Sequence, residues 1–200
     1  FNKFKTKKIW RENNLITPDF EIYSDQSYED LTKIYGSTFF IKDTCSGSSN
    51  NIFQIKNNGD FNHFIKNKQN RVILIEKKIS ADEYTAAILN NRVLPIIKII
   101  PSNEFYDFDA KYKSDETKFL FPDLSLNLVN SISDQVLRAF NVLGCNTWAR
   151  VDFFIEDNTV ILLEINTIPG MTDHSLVPKA ASVYGLSYYQ LILELSLIHI

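Results

Sequence analysis

The stretch that decides the fold is WARVDFFIEDNTVILLEIN, residues 148–166. Apolar and polar residues alternate on both sides of Asp157-Asn158, a dipeptide that favours a tight turn. The alternation predicts two strands, over residues 147–155 and 160–165, that pair with each other in antiparallel fashion. Antiparallel strands combined with separate helices are typical of the α+β class.

Polar side chains recur at every second position of this hairpin. Because residues two apart on a strand share one face, a guanidinium, two carboxylates and an amide lie on the same side: Arg150, Asp152, Glu164 and Asn166. The alternating apolar residues are expected to face a core: Phe153, Ile161, Leu163 and Ile165. A polar row is often only the solvated face of a sheet. Here the second strand runs into NTIPGMTDHS (166–175), a turn with clustered hydroxyls, and such hard oxygen ligands suit Mg²⁺.

The rest of the chain alternates short helices with short strands. Apolar spacing and capping residues predict helices at 3–13, 27–36, 60–67, 125–143, 175–184 and 187–195. Alternation predicts further strands at 20–23, 37–42, 52–55, 71–76, 84–89 and 93–100. The aromatic and charged segment 101–121 has no periodicity, and long loops of this kind are commonly functional. We therefore expect a mobile lid over residues 102–118.

Composition excludes several classes of protein. With 21 basic and 24 acidic side chains the net charge is -3, so the chain lacks the positive field that binds nucleic acid. Cys45 and Cys145 match no metal-ligand spacing and suit a reducing compartment rather than a disulfide framework. No apolar run is long enough to span a membrane. These features predict a protein of the reducing cytoplasm that has neither nucleic acid nor membrane as a partner.

Lysine and small residues mark a second candidate site. Lys42 ends a predicted strand and is followed by a Gly-Ser-Ser turn, whose backbone N–H groups could cradle phosphate. The GK[ST] pattern of a P-loop is absent, since the loop follows the lysine here. Taken alone, the pattern is more typical of an exposed lysine at the end of a strand.

Several longer motifs together resemble one family. The segments LEINTIPGMTDHSLVPKAA (163–181) and GCNTWARVDFF (144–154) are similar to the signature of the D-alanine–D-alanine ligases. LPIIKIIPSNEFYDFDAKY (94–112) looks like the mobile ω-loop of that family and its leading strand. Three further segments fall in the family's order and spacing: KFKTKKIW (3–10), FIKDTCSGSS (40–49) and ILIEKKISADEYT (73–85). The resemblance therefore covers almost the whole chain.

The resemblance implies an ATP-grasp fold, in which two α+β subdomains with antiparallel or mixed sheets grip ATP. We expect a small subdomain over residues 1–90, a carboxy-terminal subdomain over 91–195, and a tail over 196–200. The family joins two D-alanines at the expense of ATP, through a D-alanyl phosphate, to supply peptidoglycan precursors. The implied cofactors are ATP and two Mg²⁺ ions, which Mn²⁺ can replace, and the implied full-length assembly is a homodimer.

The resemblance also assigns roles in nucleotide and metal binding. The metal ligands it implies are Asp152, Glu164 and Asn166. The phosphate contacts are Lys7, Lys42 and Lys111. The adenine and ribose contacts are Glu76, Lys77, Ile79 and Glu83, with Phe154 and Leu163 on either side of the base.

The groups around the reacting atoms are assigned in the same way. Arg150 and the Gly170 N–H would stabilise the developing oxyanion, while Ser48 and Tyr112 would position the attacking amine. Ser175 and Leu176 would bind the second D-alanine. The chain departs from the family at Asp43, Ser46, Asn50-Asn51 and Ala149, and the first three changes predict a looser or differently shaped phosphate loop.

Three alternatives remain open at this point. The chain could be another ATP-grasp carboxylate–amine ligase, or a truncated ATP-binding module without catalysis. A depsipeptide ligase, which uses D-lactate as acceptor, is disfavoured by Tyr112. The chain begins at Phe1 rather than Met and has no counterpart of the family's amino-terminal domain. We therefore expect a fragment that binds ATP weakly and forms no dipeptide at a useful rate on its own.

Overall fold

The computed structural model describes residues 2–46, 52–68, 71–101, 117–172 and 174–197. The helices are α1 (Lys3–Glu12), α2 (Tyr28–Tyr35), α3 (Asn58–Asn67), α4 (Leu126–Asn141), α5 (Leu176–Tyr184) and α6 (Tyr188–Leu197). The strands are β1 (Phe20–Ile22), β2 (Phe39–Asp43), β3 (Ile52–Ile55), β4 (Ile73–Lys77), β5 (Asp82–Leu89), β6 (Arg92–Val93), β7 (Ile97–Ile100), β8 (Lys118–Leu120), β9 (Trp148–Glu156) and β10 (Thr159–Asn166). Among these helices, none is long and apolar enough to cross a membrane.

The strands form two antiparallel sheets. The smaller has the order β1-β4-β2-β3, and the larger has the order β10-β9-β5-β7-β8, with β6 paired to β5. Since β5 lies at the centre of the larger sheet, the chain passes from one sheet to the other between Lys77 and Asp82. A subdomain boundary there fits the strand order better than the predicted division at residue 90.

Helices cover one face of the small sheet and both faces of the large one. Leu31 of α2 and Phe61 of α3 pack on Phe39, Ile41 and other apolar residues of the small sheet. On the large sheet, α1 and α4 cover one face. The helices α5 and α6 cover only part of the opposite face, against residues such as Leu89 and Ile97. The uncovered part of that face carries the polar residues of the β9–β10 hairpin.

Helix α1 is attached to both sheets. Its Trp10 is fully buried in the core of the large sheet, where the indole N–H donates to the carbonyl of Ala139 at 2.9 Å. At the other end, the backbone N–H of Lys3 donates to the carbonyl of Thr44, directly after β2, at 2.8 Å. Because α1 is bonded at both ends, its side chains have fixed positions relative to both sheets.

Most predicted elements are present, with two differences in extent. The strand predicted over 93–100 is divided into β6 and β7, because Pro95 has no N–H with which to continue the ladder. Helix α6 extends to Leu197, so residues 196 and 197 belong to a helix rather than to a tail. Of the predicted lid, residues 102–116 lie outside the described part of the chain, and Lys118 begins β8.

The hairpin contains a β-bulge that the alternation did not predict. Glu164 pairs with Asp152 and Leu162 pairs with Phe153, so Leu163 is an extra residue on β10. The bulge reverses the alternation along β10. As a result Val160 and Leu162 pack in the core with Phe153 and Ile165. Ile161 is buried as predicted and Leu163 is partly buried, but neither belongs to this cluster, because the bulge places both on the opposite face.

Candidate functional site

A hydrogen-bonded network surrounds Asp152 on the open face of the hairpin. The Asp152 side chain is fully buried, and Arg150 binds it in a fork, with Nε 2.9 Å from Oδ1 and Nη2 2.9 Å from Oδ2. Asn166 donates through Nδ2 to Oδ2 at 3.0 Å, and the hydroxyl of Thr85 on β5 donates to Oδ1 at 2.5 Å. Charge-assisted bonds from three sides hold this carboxylate in one orientation.

Glu164 is the second carboxylate of the same face. It lies opposite Asp152 across the hairpin, and its side chain is 17% exposed. Side chains directly opposite each other on antiparallel strands have Cβ atoms about 5 Å apart. The predicted shared face of Arg150, Asp152, Glu164 and Asn166 is therefore present, and it depends on the bulge at Leu163.

The donor set of this face suits a hard divalent cation. Within the parts of the chain that the structure describes, no three His, Cys, Asp or Glu side chains form a metal cluster. The candidate ligand oxygens are those of the Asp152 and Glu164 carboxylates and of the Asn166 amide, whose nitrogen already faces Asp152. Mg²⁺ requires only one or two carboxylates, since phosphate and water oxygens complete its shell. The residues present thus fit a magnesium ion held jointly with a phosphate ligand.

A second cluster joins α1 to the small sheet. Glu76 on β4 is 1% exposed, and its two oxygens face two lysines. Lys7 Nζ of α1 lies 2.8 Å from Oε2 and also donates to the hydroxyl of Thr17 at 2.7 Å. Lys42 Nζ of β2 donates to Oε1. The two ammonium groups outnumber the single Glu76 carboxylate, so this buried cluster has a net positive charge. Such a charge favours the binding of an anion.

Burial and mutual attraction shift the protonation of this triad. Burial lowers the pKa of Lys7 to about 8, although the nearby Glu76 carboxylate partly opposes the change. For Glu76, burial alone would raise the pKa, but Lys42 and Lys7 together hold it below its ordinary value. The carboxylate therefore stays ionised at neutral pH, while Lys7 loses its proton far more readily than an exposed lysine.

The titration of Lys7 predicts how stability varies with alkaline pH. The pKa of Lys7 is about 8 in the folded chain and has the ordinary value of 10.5 in the unfolded chain. At any pH between these two values, the unfolded state therefore binds more protons than the folded state. The contribution of Lys7 to the free energy of unfolding should therefore rise with pH across this window, by on the order of 1 kcal/mol per pH unit. Urea titrations of the wild type and Lys7→Met at several pH values measure this difference. A difference that is constant across the window would contradict the assignment.

The residues predicted to contact the nucleoside lie on neighbouring strands of the large sheet, at the end of β4 and in the connection between β4 and β5. Phe154 on β9 pairs with Glu83 on one side and with Ile161 on the other. Ile79 lies in the connection between β4 and β5, beside an open cleft that Ile155 also lines. Lys77 ends β4 and is exposed, and Leu163 is the partly buried bulge residue. Their contact with a base or ribose stays a prediction.

The residues predicted to bind the second D-alanine lie at the start of α5. Ser175 precedes the helix, and its hydroxyl accepts from the backbone N–H of Thr172 at 3.0 Å. A Cβ added at Gly170 would lie 2.9 Å from the Ser175 hydroxyl oxygen, so the glycine permits this close approach. The Leu176 side chain is buried in the core under α5, which leaves its backbone as the part available to a substrate.

Other predicted site residues lie outside the described part of the chain. These are Ser48 of the phosphate loop and Lys111 and Tyr112 of the predicted lid. Their assigned roles stay predictions.

The structure adds three residues that sequence reasoning missed. Thr85 holds Asp152, Thr17 accepts from Lys7, and Lys3 lies beside Glu164. Lys3 is one helical turn before Lys7, so the spacing of four in KFKTK already placed both on one face of α1. Thr85 and Thr17 have no such local signal, because each meets its partner only through the tertiary fold.

Comparisons with known proteins identify the family of this chain. A family model described as D-ala D-ala ligase C-terminus matches residues 12–197. The chain belongs to this family. Among its relatives, a D-alanine–D-alanine ligase from Paraburkholderia phytofirmans is 38% identical over 202 residues, which cover 96% of this chain and 64% of the relative. The chain thus spans slightly less than two thirds of the length of that curated relative.

Solved structures of the same family share the fold. A crystal structure of D-alanine–D-alanine ligase from Bacillus anthracis aligns with a TM-score of 0.83 and 30% identity, over 96% of this chain and 65% of that one. A second structure of the Bacillus anthracis ligase, complexed with ATP, gives a TM-score of 0.81 and 29% identity, over 96% and 64%. The predicted α+β, ATP-grasp architecture with two antiparallel sheets is confirmed by these matches.

Proposed function

We propose that this chain provides the nucleotide- and metal-binding part of an ATP-dependent ligase that joins two D-alanines, in the cytoplasm, for peptidoglycan precursors. The observation that carries the proposal is the hairpin face, where Arg150, Asp152, Glu164 and Asn166 lie together. It is supported by membership of the family and by the likeness to a ligase complexed with ATP. The positively charged triad around Glu76 supplies a place for phosphate groups.

The chemistry divides into two displacements. A carboxylate oxygen of the first D-alanine attacks the γ-phosphorus of ATP, and ADP leaves. The amine of the second D-alanine then attacks the carbonyl carbon of the D-alanyl phosphate, and inorganic phosphate leaves with formation of the peptide bond. Phosphoryl transfer needs positioning and charge neutralisation more than covalent catalysis. Lys7 and Lys42 neutralise the transferred phosphate in this scheme, while Arg150 and the Gly170 N–H face the developing oxyanion.

Asp152, Glu164 and Asn166 would hold Mg²⁺ in this scheme. When bound, the metal neutralises phosphate oxygens and aligns them for transfer. The protein's own part is to keep the ligands preoriented. Arg150, Thr85 and Asn166 fix the direction of the Asp152 carboxylate before any nucleotide arrives.

Glu164→Gln should lower the affinity for the Mg²⁺–ATP complex by at least roughly tenfold, the order seen when a metal site loses a supporting group. Glutamine keeps the size of the side chain but removes its charge. Asp152→Asn is a less clean test, because it also breaks the buried ion pair with Arg150. The matched control is Asp134→Asn, which removes one exposed carboxylate from the outer surface of α4. Calorimetric titration with ATP in Mg²⁺ gives the measurement, and equal affinities for wild type and Glu164→Gln would refute the metal assignment.

Phosphate release in the presence of ATP tests the reaction itself. The proposal requires D-alanine to stimulate release, and L-alanine at the same concentration to have no effect. The assay belongs on the complete natural protein, because the chain covers 64% of a related ligase. D-Alanine-independent hydrolysis in a protein that binds ATP well would favour a different ATP-grasp ligase.

A further inference from the structure

Hydrogen-bond donors surround both oxygens of the Asp152 carboxylate. Oδ1 accepts from Arg150 Nε at 2.9 Å and from the Thr85 hydroxyl at 2.5 Å. Oδ2 accepts from Arg150 Nη2 at 2.9 Å and from Asn166 Nδ2 at 3.0 Å. A carboxylate offers about four lone-pair positions, shared equally by its oxygens. Each position therefore faces a donor, and a metal ion can bind Asp152 only where one of these donors gives way.

Asn166 is the donor best suited to leave. Its bond to Oδ2 comes from a neutral amide, and turning that amide over directs its oxygen, a candidate metal ligand, to the same place. The Arg150 fork makes two charge-assisted bonds from one guanidinium, so its departure would break both. Departure of Asn166 opens Oδ2 and leaves the surroundings of Oδ1 unchanged.

Thr85 holds its position on Oδ1 firmly. It lies on β5 directly opposite Asp152 on β9, it is 1% exposed, and its β-branched side chain has few rotamers. The hydroxyl also lies 3.3 Å from the carbonyl oxygen of Val151, so its proton has a second acceptor nearby. Even with the proton turned to Val151, the hydroxyl oxygen would still fill that side of Oδ1.

We propose that Thr85 restricts Asp152 to one coordinating oxygen and thereby favours Mg²⁺ over Ca²⁺ at the candidate site. Ca²⁺ takes about six to eight oxygens and can bind both oxygens of one carboxylate, whereas Mg²⁺ requires a smaller octahedral shell that keeps several waters. With Oδ1 closed, Asp152 suits the second arrangement better than the first. The proposal rests on the proposed function, because it takes Asp152 to be a metal ligand.

Thr85→Val is the sharpest variant, because valine keeps the shape of threonine but has no hydroxyl. Dissociation constants are obtained by displacing bound Mn²⁺ with Mg²⁺ or Ca²⁺ at a saturating concentration of a non-hydrolysable ATP analogue. The paramagnetic resonance signal of the free Mn²⁺ reports the displacement. The ratio of the Ca²⁺ constant to the Mg²⁺ constant should fall about tenfold in Thr85→Val, the order typical when a group supporting a metal ligand is removed.

Two matched variants separate this role from a structural one. Thr85→Ser keeps the hydroxyl and should retain the wild-type ratio. Thr159→Val makes the same change as Thr85→Val at an exposed position of β10, and it should retain the ratio as well. A threonine that merely supports the fold would, when replaced by valine, weaken the binding of both ions alike and leave their ratio unchanged.

Infrared difference spectra of protein with isotope-labelled aspartate carboxylates give a second readout that needs no substitution. A carboxylate bound through one oxygen has a wider separation between its antisymmetric and symmetric stretches than one bound through both. The wild type should show the one-oxygen pattern with either ion, and Thr85→Val should show the two-oxygen pattern with Ca²⁺.

The possible failures of the proposal are distinguishable from failure of the metal site. An unchanged ratio in Thr85→Val, an equal fall in Thr85→Ser, or a two-oxygen pattern in the wild type would overturn the role of Thr85 alone. Failure of the wild type to bind Mn²⁺ with the nucleotide analogue would overturn the proposed metal site, and this proposal with it.

Discussion

Replacing Glu76 with alanine should destabilise the protein by about 3–5 kcal/mol, the cost typical of leaving a buried charge without its partner. Glu76 is the common counter-ion of Lys7 and Lys42, and all three side chains are nearly inaccessible to water. Without the carboxylate, two ammonium groups would face each other in a place that water hardly reaches. Most small domains have a total stability of about 5–15 kcal/mol, so a large fraction of this one would be lost.

Urea-induced unfolding measures this loss for the Glu76→Ala protein. Glu12→Ala is the matched control, because Glu12 is 59% exposed and pairs with the exposed Lys8. Its effect should stay within about 0.5 kcal/mol. A third protein with leucine or methionine at positions 7, 42 and 76 should recover much of the stability, since apolar replacement of a whole buried ionic group is often neutral or better. A Glu76→Ala protein as stable as Glu12→Ala would show that the triad is solvated.

Trp10→Ala should also cost about 3–5 kcal/mol, the range observed when a buried aromatic side chain is truncated. Trp10 is fully buried between α1, α4 and the large sheet, so the substitution leaves a cavity that the surrounding strands cannot close. It also removes the donor to the carbonyl of Ala139. Since α1 carries Lys3 and Lys7, loosening its anchor should weaken nucleotide binding as well.

Two further variants separate the parts of this effect. Trp10→Phe keeps an aromatic ring but loses the hydrogen bond, so its cost should be about 1–3 kcal/mol. Ile34→Ala, at a position that is 59% exposed on α2, should change stability by less than about 0.5 kcal/mol. Unfolding can be followed by circular dichroism, which does not depend on the tryptophan that is removed. If Trp10→Ala were no more costly than Trp10→Phe, cavity formation would not be the cause.

Local signals in the sequence were enough for the elements and for one half of the site. The turn at Asp157-Asn158 has positive φ angles of 49° and 63°, as short-range hairpin turns of this kind require. Ser27 caps α2 by accepting from the N–H of Asp30, again within four residues. The polar pair on each strand of the hairpin, taken separately, needed only a spacing of two. Each of these features depends on neighbours in the chain, which alternation and capping rules describe.

The remaining features depend on contacts between distant parts of the chain. The buried ionic triad is contributed by three separate elements, which carry Lys7, Lys42 and Glu76. Glu76 comes into contact with both lysines only when these elements pack together. Thr85 reaches Asp152 because β5 happens to be the neighbour of β9. The bulge was missed for another reason. A strict period of two admits no extra residue, and nothing in LLE marks Leu163 as the one to be bulged out.

That bulge keeps one surplus residue out of the ladder. From the turn to Leu162 the strand follows one phase of the pleat, and from Glu164 onward it follows the other. Deletion of Leu163 would leave Leu162 opposite Phe153 and Glu164 opposite Asp152, so Glu164 and Asn166 would stay on the face of the candidate site. If Leu163 instead took the place opposite Asp152 in a regular ladder, Glu164 would lie opposite Val151 and would face the core. The site therefore tolerates the loss of this residue but not its inclusion in the strand pairing.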